Sequence, residues 1–171
     1  MMKKEKLSWA FLILYLTFST FEISGNFPSK SNPELQAVSE KVDEYIEKFN
    51  IKPEYKTLSI SYSEEIPYSV YARCSVSLFN KYNRHITFNI SYRYLLKDNP
   101  KAALVIILHE KLHCECNYSK HDEKSLIMSA ELDERLINTY SQEYLDLLIN
   151  DAILTYCPHD WRIKWQLRQV F

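Results

Sequence analysis

The chain has a single glycine, Gly25, among 171 residues. Glycine reaches left-handed backbone without steric cost, so every tight turn beyond position 25 must rest on Asn, Asp, Ser or Pro. An excess of one charge sign is also missing. Lys and Arg number 21 against 22 Asp and Glu, and the pI is near 6.5. This balance gives no reason to expect nucleic acid or an anionic membrane surface as the main partner. No internal repeat or low-complexity tract occurs, and the only long apolar run lies at the N terminus. No cysteine follows that run closely, so a bacterial lipoprotein anchor is not indicated.

The N-terminal run is informative. Lys3, Lys4 and Lys6 precede a stretch from Trp9 to Phe18 that is apolar apart from Thr17. A basic start followed by about ten apolar residues has the form of a secretory signal, and it is short for a membrane span. Residues 1–25 are therefore read as a signal peptide, with an uncleaved anchor through residues 7–18 as the alternative. Residues 26–33, with Pro28 and Pro33 among Ser and Asn, read as a linker. Residues 34–171 form one domain, long enough to bury a core. The four cysteines, Cys74, Cys114, Cys116 and Cys157, all fall in the exported part. In an oxidising compartment they allow up to two disulfides in three pairings, or they are buried free thiols. Cys114 and Cys116 sit too close on a helix to bond readily to each other.

Periodicity gives the elements. Asn32 can cap a helix with Pro33 at its first position. Leu35, Val38, Val42, Tyr45, Ile46 and Phe49 then recur at threes and fours, which predicts an amphipathic helix from Pro33 to Phe49. Leu58, Ile60 and Tyr62 alternate and predict a strand from Thr57 to Ser63. Val70 to Phe79 predicts a second strand, Asn80 to Asn83 a turn, and alternating Ile86, Phe88 and Ile90 a third. Asp98 or Asn99 caps a helix opened by Pro100 and running to about Cys116, with almost no polar face before His109. A polar loop from Asn117 to Lys124 and a short turn around Met128 follow. Leu145, Leu148, Ile149, Ile153 and Leu154 then predict a helical C-terminal region.

The core helix carries His109-Glu110-Lys111-Leu112-His113. Residues four apart share a helix face, so two imidazoles at this spacing can grip one Zn²⁺. The Glu between them can act as general base toward water at the metal. An isolated His is usually a satisfied polar residue, which is the reading for His85 and His159. Glu110 follows an apolar run, where a charge costs energy unless it has a task. A catalytic zinc takes three protein ligands and keeps a place for water. The leading third ligand is His121, reached if the chain leaves the helix near Cys116 and turns back through a left-handed Asn117. Glu131 or Glu134 would make a two-His, one-Glu site instead. Cys114 or Cys116 with the histidines would close a structural zinc site.

The run from His109 through Cys114 to His121-Asp122, then Ser125-Leu126-Ile127-Met128-Ser129, resembles the zinc signature and Met-turn of metzincin metallopeptidases. It is most similar to small exported bacterial matrixin-like proteins, and the likeness covers roughly Tyr71 to Met128. Two departures stand out: Cys116 occupies the usual glycine position, and the third His comes two residues later than in the standard pattern. The resemblance implies His109, His113 and His121 as zinc ligands, Glu110 as general base and Met128 as an apolar floor beneath the metal. Tyr71 to Cys74 and the strand Arg84 to Ile90 resemble the edge-strand region before that family's active-site helix. In metzincins such a strand binds extended peptide by strand addition, which places substrate beside the strand ending near Ile90. Phe27 to Asn32 holds no cysteine, so a cysteine-switch propeptide is not expected there.

The expectation is an α/β (α+β), zincin-like domain with a small mixed sheet packed on an N-terminal helix and an active-site helix. The function expected is that of an extracytoplasmic (secreted or periplasmic), monomeric zinc metalloendopeptidase acting on peptide or protein. The alternatives are a non-catalytic zinc-stabilised surface binding domain and a degenerate protease that holds zinc without a usable cleft.

Overall fold

The computed structural model describes residues 31–53, 55–77 and 82–157. The signal or anchor, most of the linker, Phe79 to Lys81 and His159 lie outside the described residues. The described part is a mixed α/β fold of a three-stranded sheet and five helices, α1 to α5. No helix among the described residues is long and apolar enough to cross a membrane.

Helix α1 spans Pro33–Glu47 and starts where its cap predicts. Asn32 Oδ1 accepts from the N–H groups of Glu34 and Leu35 at 3.0 and 3.2 Å. Leu35, Ser39, Val42 and Ile46 form its buried face, at the three-and-four spacing of the sequence. The same Asn32 donates its own N–H to the Ile60 carbonyl at 2.7 Å, which fastens the helix entry to the first strand. Beyond the helix, Asn50 adopts φ 53°, a left-handed turn made without glycine.

The strands are β1 (Lys56–Ser63), β2 (Ala72–Val76) and β3 (Asn83–Asn89), in the order β1-β3-β2. β3 runs parallel to β1 and antiparallel to β2. Ile60, Ala72, Ile86 and Phe88 project into the core, and burying each large one contributes about 1.5–3 kcal/mol. Ile90 leaves the strand for a 3-10 turn and is exposed. The strand ending near Ile90 is thus the central one, with both edges paired, so it cannot take an added strand. The expectation that substrate lies beside it is corrected accordingly: the edge strands are β1 and β2. Strand order is a long-range pairing choice, and alternation within single strands does not encode it.

A short helix α2 (Leu95–Asp98) leads into α3 (Pro100–Cys114), which crosses the sheet. Asn99, not Asp98, is the cap, accepting from the Ala102 N–H at 3.2 Å. Ala102, Ala103, Val105, Ile106, Ile107, Leu108 and Leu112 are buried on every side of α3, as its uniform apolarity predicts. The helix ends two residues earlier than expected, and Asn117 at φ 53° then turns the chain back. Lys111 is buried but paired with Asp43 of α1 and, at 3.1 Å, with Glu115. Glu115 also accepts the Thr57 N–H at 3.1 Å, so one carboxylate joins α3 to β1.

The C-terminal region holds α4 (Glu134–Thr139), capped by Asp133, and α5 (Gln142–Tyr156), capped by Ser141. Leu145, Ile149, Ala152, Ile153 and Tyr156 pack α5 on the core. Tyr45 Oη donates to Asp146 Oδ1 at 2.6 Å, joining α1 to α5. All four cysteines are bonded, Cys74 to Cys114 and Cys116 to Cys157, with Cα separations of 5.5 and 4.9 Å. One bridge ties β2 to the end of α3, and the other ties the following loop to the end of α5. Two disulfides are compatible with an oxidising, extracytoplasmic setting.

Candidate metal centre

Four-residue spacing on α3 puts His109 and His113 on one face, with their rings edge-on at 79° and their Nε2 atoms 3.0 Å apart. The Nδ1 of His109 is 2.7 Å from the Ile127 carbonyl oxygen, and the Nδ1 of His113 meets the carbonyl of Tyr118. A carbonyl can only accept, so each Nδ1 carries the proton and each Nε2 presents a bare lone pair. Two lone pairs at that separation repel unless a cation lies between them. Nitrogens on a tetrahedral zinc are about 3.3 Å apart, from bonds of about 2.0–2.1 Å. The donor set fits a metal ion, and each imidazole is oriented from behind by a backbone carbonyl in the manner of metal-ligating histidines.

His121 completes the set. The ligand atoms of His109, His113 and His121 all lie within 4.8 Å of one another. Its ring centroid is 5.2 Å from that of His109 and 5.1 Å from that of His113. The left-handed Asn117 makes this convergence geometrically accessible, since the chain must reverse within a few residues of the helix end. Glu131 and Glu134 do not join the three imidazoles, and Glu134 instead accepts the Tyr94 hydroxyl at 3.0 Å. Cys114 and Cys116 are in disulfides and offer no thiolate, so the closed Cys/His site is ruled out.

Burial favours the neutral, ligand form of His109 and His113. Burial lowers His109 to about 4, reinforced by His113 and His121 and opposed by the Ile127 carbonyl. Burial lowers His113 as well. Beside them Glu110 is buried, and desolvation pushes its carboxyl up to about 7. The Cys74 N–H, hydrogen-bonded to that carboxylate, and the positive Arg73 pull it back down. Burial raises carboxyl pKa values and depresses imidazole ones, because both environments penalise charge.

These groups line a cleft of about 480 Å³. Tyr71, Ala72 to Cys74 of β2, Tyr118, Ser129 and Ala130 line it as well. A larger hollow of about 680 Å³ opens behind α3, lined by Asp43, Thr57, Lys111 and Glu115, and holds none of the three histidines. Its two deeply buried charges, Lys111 and Glu115, are paired with each other, and Lys111 also with Asp43. Met128 is fully buried in the turn that supplies the Ile127 carbonyl, and its own carbonyl accepts the Asp122 N–H at 2.8 Å. His85 is a satisfied polar residue as expected, with Nδ1 2.6 Å from Ser59 Oγ. Sequence reasoning missed the backbone partners at Cys74, Tyr118 and Ile127, since a main-chain group carries no residue signature.

No family model matches the chain, and searches of curated proteins and of solved structures return no match either.

Proposed function

We propose that the protein is a zinc-dependent endopeptidase of zincin-like design, with His109, His113 and His121 as the metal ligands. The observation that carries this reading is the buried Glu110 beside three converging imidazoles in an open cleft. Zinc, when bound there, supplies Lewis acidity that acidifies water and polarises a peptide carbonyl. Glu110 takes the proton of the attacking water and returns it to the leaving amine. The Cys74 N–H fixes the Glu110 carboxylate in place for both transfers.

The β2 edge supports an extended peptide as substrate. Tyr71 C=O and Ser77 N–H bond to β3, so by alternation the N–H and C=O groups of Ala72 and Val76 and the C=O of Cys74 point outward, the Cys74 N–H being taken by Glu110. Among the described residues no strand pairs with that edge. It borders the cleft, where a peptide can add as a further strand. Met128 serves as the apolar support of the metal turn. A non-catalytic zinc-stabilised binding domain closed by thiolates has no free cysteine to draw on among the described residues.

The test is zinc content of the purified protein together with cleavage of a quenched-fluorescent peptide library. One zinc per chain and chelator-sensitive cleavage support the reading. Zinc binding without any cleavage would point to the degenerate protease, and the absence of zinc would overturn the proposal altogether.

A further inference from the structure

The third imidazole is held differently from the other two. His109 and His113 each lean on a backbone carbonyl through Nδ1. Among the described residues no hydrogen bond reaches the ring of His121, which is exposed. Its place is set through its neighbour Asp122, which is bound on every side. The Asp122 N–H donates to the Met128 carbonyl at 2.8 Å, and its own carbonyl accepts the Ser125 N–H at 3.0 Å. Its Oδ1 accepts the Lys124 N–H at 3.0 Å. Those three bonds are local to the loop. The fourth comes from outside it: Tyr156 Oη donates to Asp122 Oδ2 at 2.8 Å.

Tyr156 ends α5, and the next residue, Cys157, is bonded to Cys116. The Tyr156 ring also packs on Tyr118 at 4.8 Å between centroids, and the Tyr118 carbonyl orients His113. Tyr156 and the Cys157 that caps α5 thus grip the loop at three points: Cys116, Tyr118 and Asp122. The loop contains no glycine, its left-handed turn falls at Asn117, and the tie to Tyr156 adds to the bonds it makes within itself.

We propose that the last turn of α5 sets the third metal ligand, with Tyr156 as a positioning residue that acts through Asp122 on His121. This rests on the metal-binding part of the proposed function and not on catalysis. Groups that orient a ligand from behind typically carry about 10–100-fold in metal affinity.

The experiment measures zinc affinity by competition with a chromophoric chelator, and the visible spectrum of the cobalt(II)-substituted full chain. Tyr156→Phe keeps the ring and removes only the hydroxyl. It is expected to weaken zinc binding by roughly 10-fold and to lower the cobalt band intensity as water replaces a nitrogen, with the metal-free melting temperature little changed. His121→Ala sets the lower limit of affinity. Asp122→Ala should fall close to that limit, and Asp122→Asn, which keeps one accepting oxygen, should recover part of the loss. Wild-type affinity and an unchanged cobalt spectrum in both Tyr156→Phe and Asp122→Ala would overturn the inference. Should Tyr156→Phe fail to fold, the order of the two Asp122 variants decides alone. A wild-type chain that binds zinc but cleaves nothing sinks the peptidase reading and leaves this one intact. A chain that binds no metal sinks both.

Discussion

Cys74 holds Glu110 through its backbone: the amide of the middle residue of β2 hydrogen-bonds the carboxylate on α3. The same cysteine is bonded through sulfur to Cys114, one turn further along that helix. A strand edge and the proposed base are therefore joined by two links, one polar and one covalent. Moving the strand would move the proton-transferring group with it.

Replacing Glu110 with Gln keeps the shape of the side chain and removes its basicity. Cleavage should fall by about 10²–10⁴-fold, the usual contribution of a positioned general base. Zinc stoichiometry, read by atomic emission on the purified variant, should stay at the wild-type level. Unchanged cleavage in Glu110→Gln would remove this residue from the mechanism.

Histidines should separate by position rather than by residue type. His109→Ala and His113→Ala each remove a nitrogen from the cluster and should abolish tight zinc binding. His85→Ala should retain the metal, because its ring is engaged by Ser59 on the sheet. Equal zinc loss in all three variants would mean that the metal sits elsewhere.

The Tyr45–Asp146 bond between α1 and α5 predicts a defined pH dependence of stability. Its hydrogen bond to Tyr45, first among the causes, holds the Asp146 carboxyl below its ordinary range. A depressed carboxyl contributes stability that is present above its unfolded value of about 3.9 and is lost as pH falls through the folded value. Tyr45 is pushed up to about 12, by burial and then by Asp146. That contribution is present below about 10 and disappears as pH rises through the folded value. The stability gap between wild type and Tyr45→Phe, from urea titrations, should be flat near neutrality and shrink at both extremes. A gap that stays constant from neutral pH down into the carboxyl range contradicts the assignment.

Lys111 tests the buried ion pairs behind the metal helix. Lys111→Ala leaves the buried Glu115 without its cation and should destabilise the fold by about 3–5 kcal/mol. Lys111→Met combined with Glu115→Gln removes both charges and should recover most of that loss. Denaturant unfolding of the single and double variants measures the difference, and an additive double variant would refute the coupling.

Much of this architecture is legible residue by residue. Asn32 announces one helix start and the pair Asp98-Asn99 the other, where the structure selects Asn99; both asparagines cap through Oδ1. The spacing of His109 and His113 dictates a shared face, because the helical period is local. Asn117 is the residue able to replace glycine in a left-handed turn after the helix, and it does so. Other features are not legible. The cysteines allow three pairings on paper, and only the approach of β2 to α3, and of α5 to the loop, selects one. Alternating Ile86 and Phe88 identify a strand and say nothing of its neighbours.

The amino-acid sequence by itself determined the long helices, the strands in outline, the pair of imidazoles on one helix face and the acid between them, since these follow from backbone preferences and periodicities spanning a few residues. The tertiary structure alone decided that β3 is central, that the β2 amide meets Glu110, and that His121 swings in under a grip from Tyr156 and Cys157. The physical reason is range. Local rules act through bonds and neighbouring turns, whereas the loop that carries His121 is tied to a helix end more than thirty residues away in the chain.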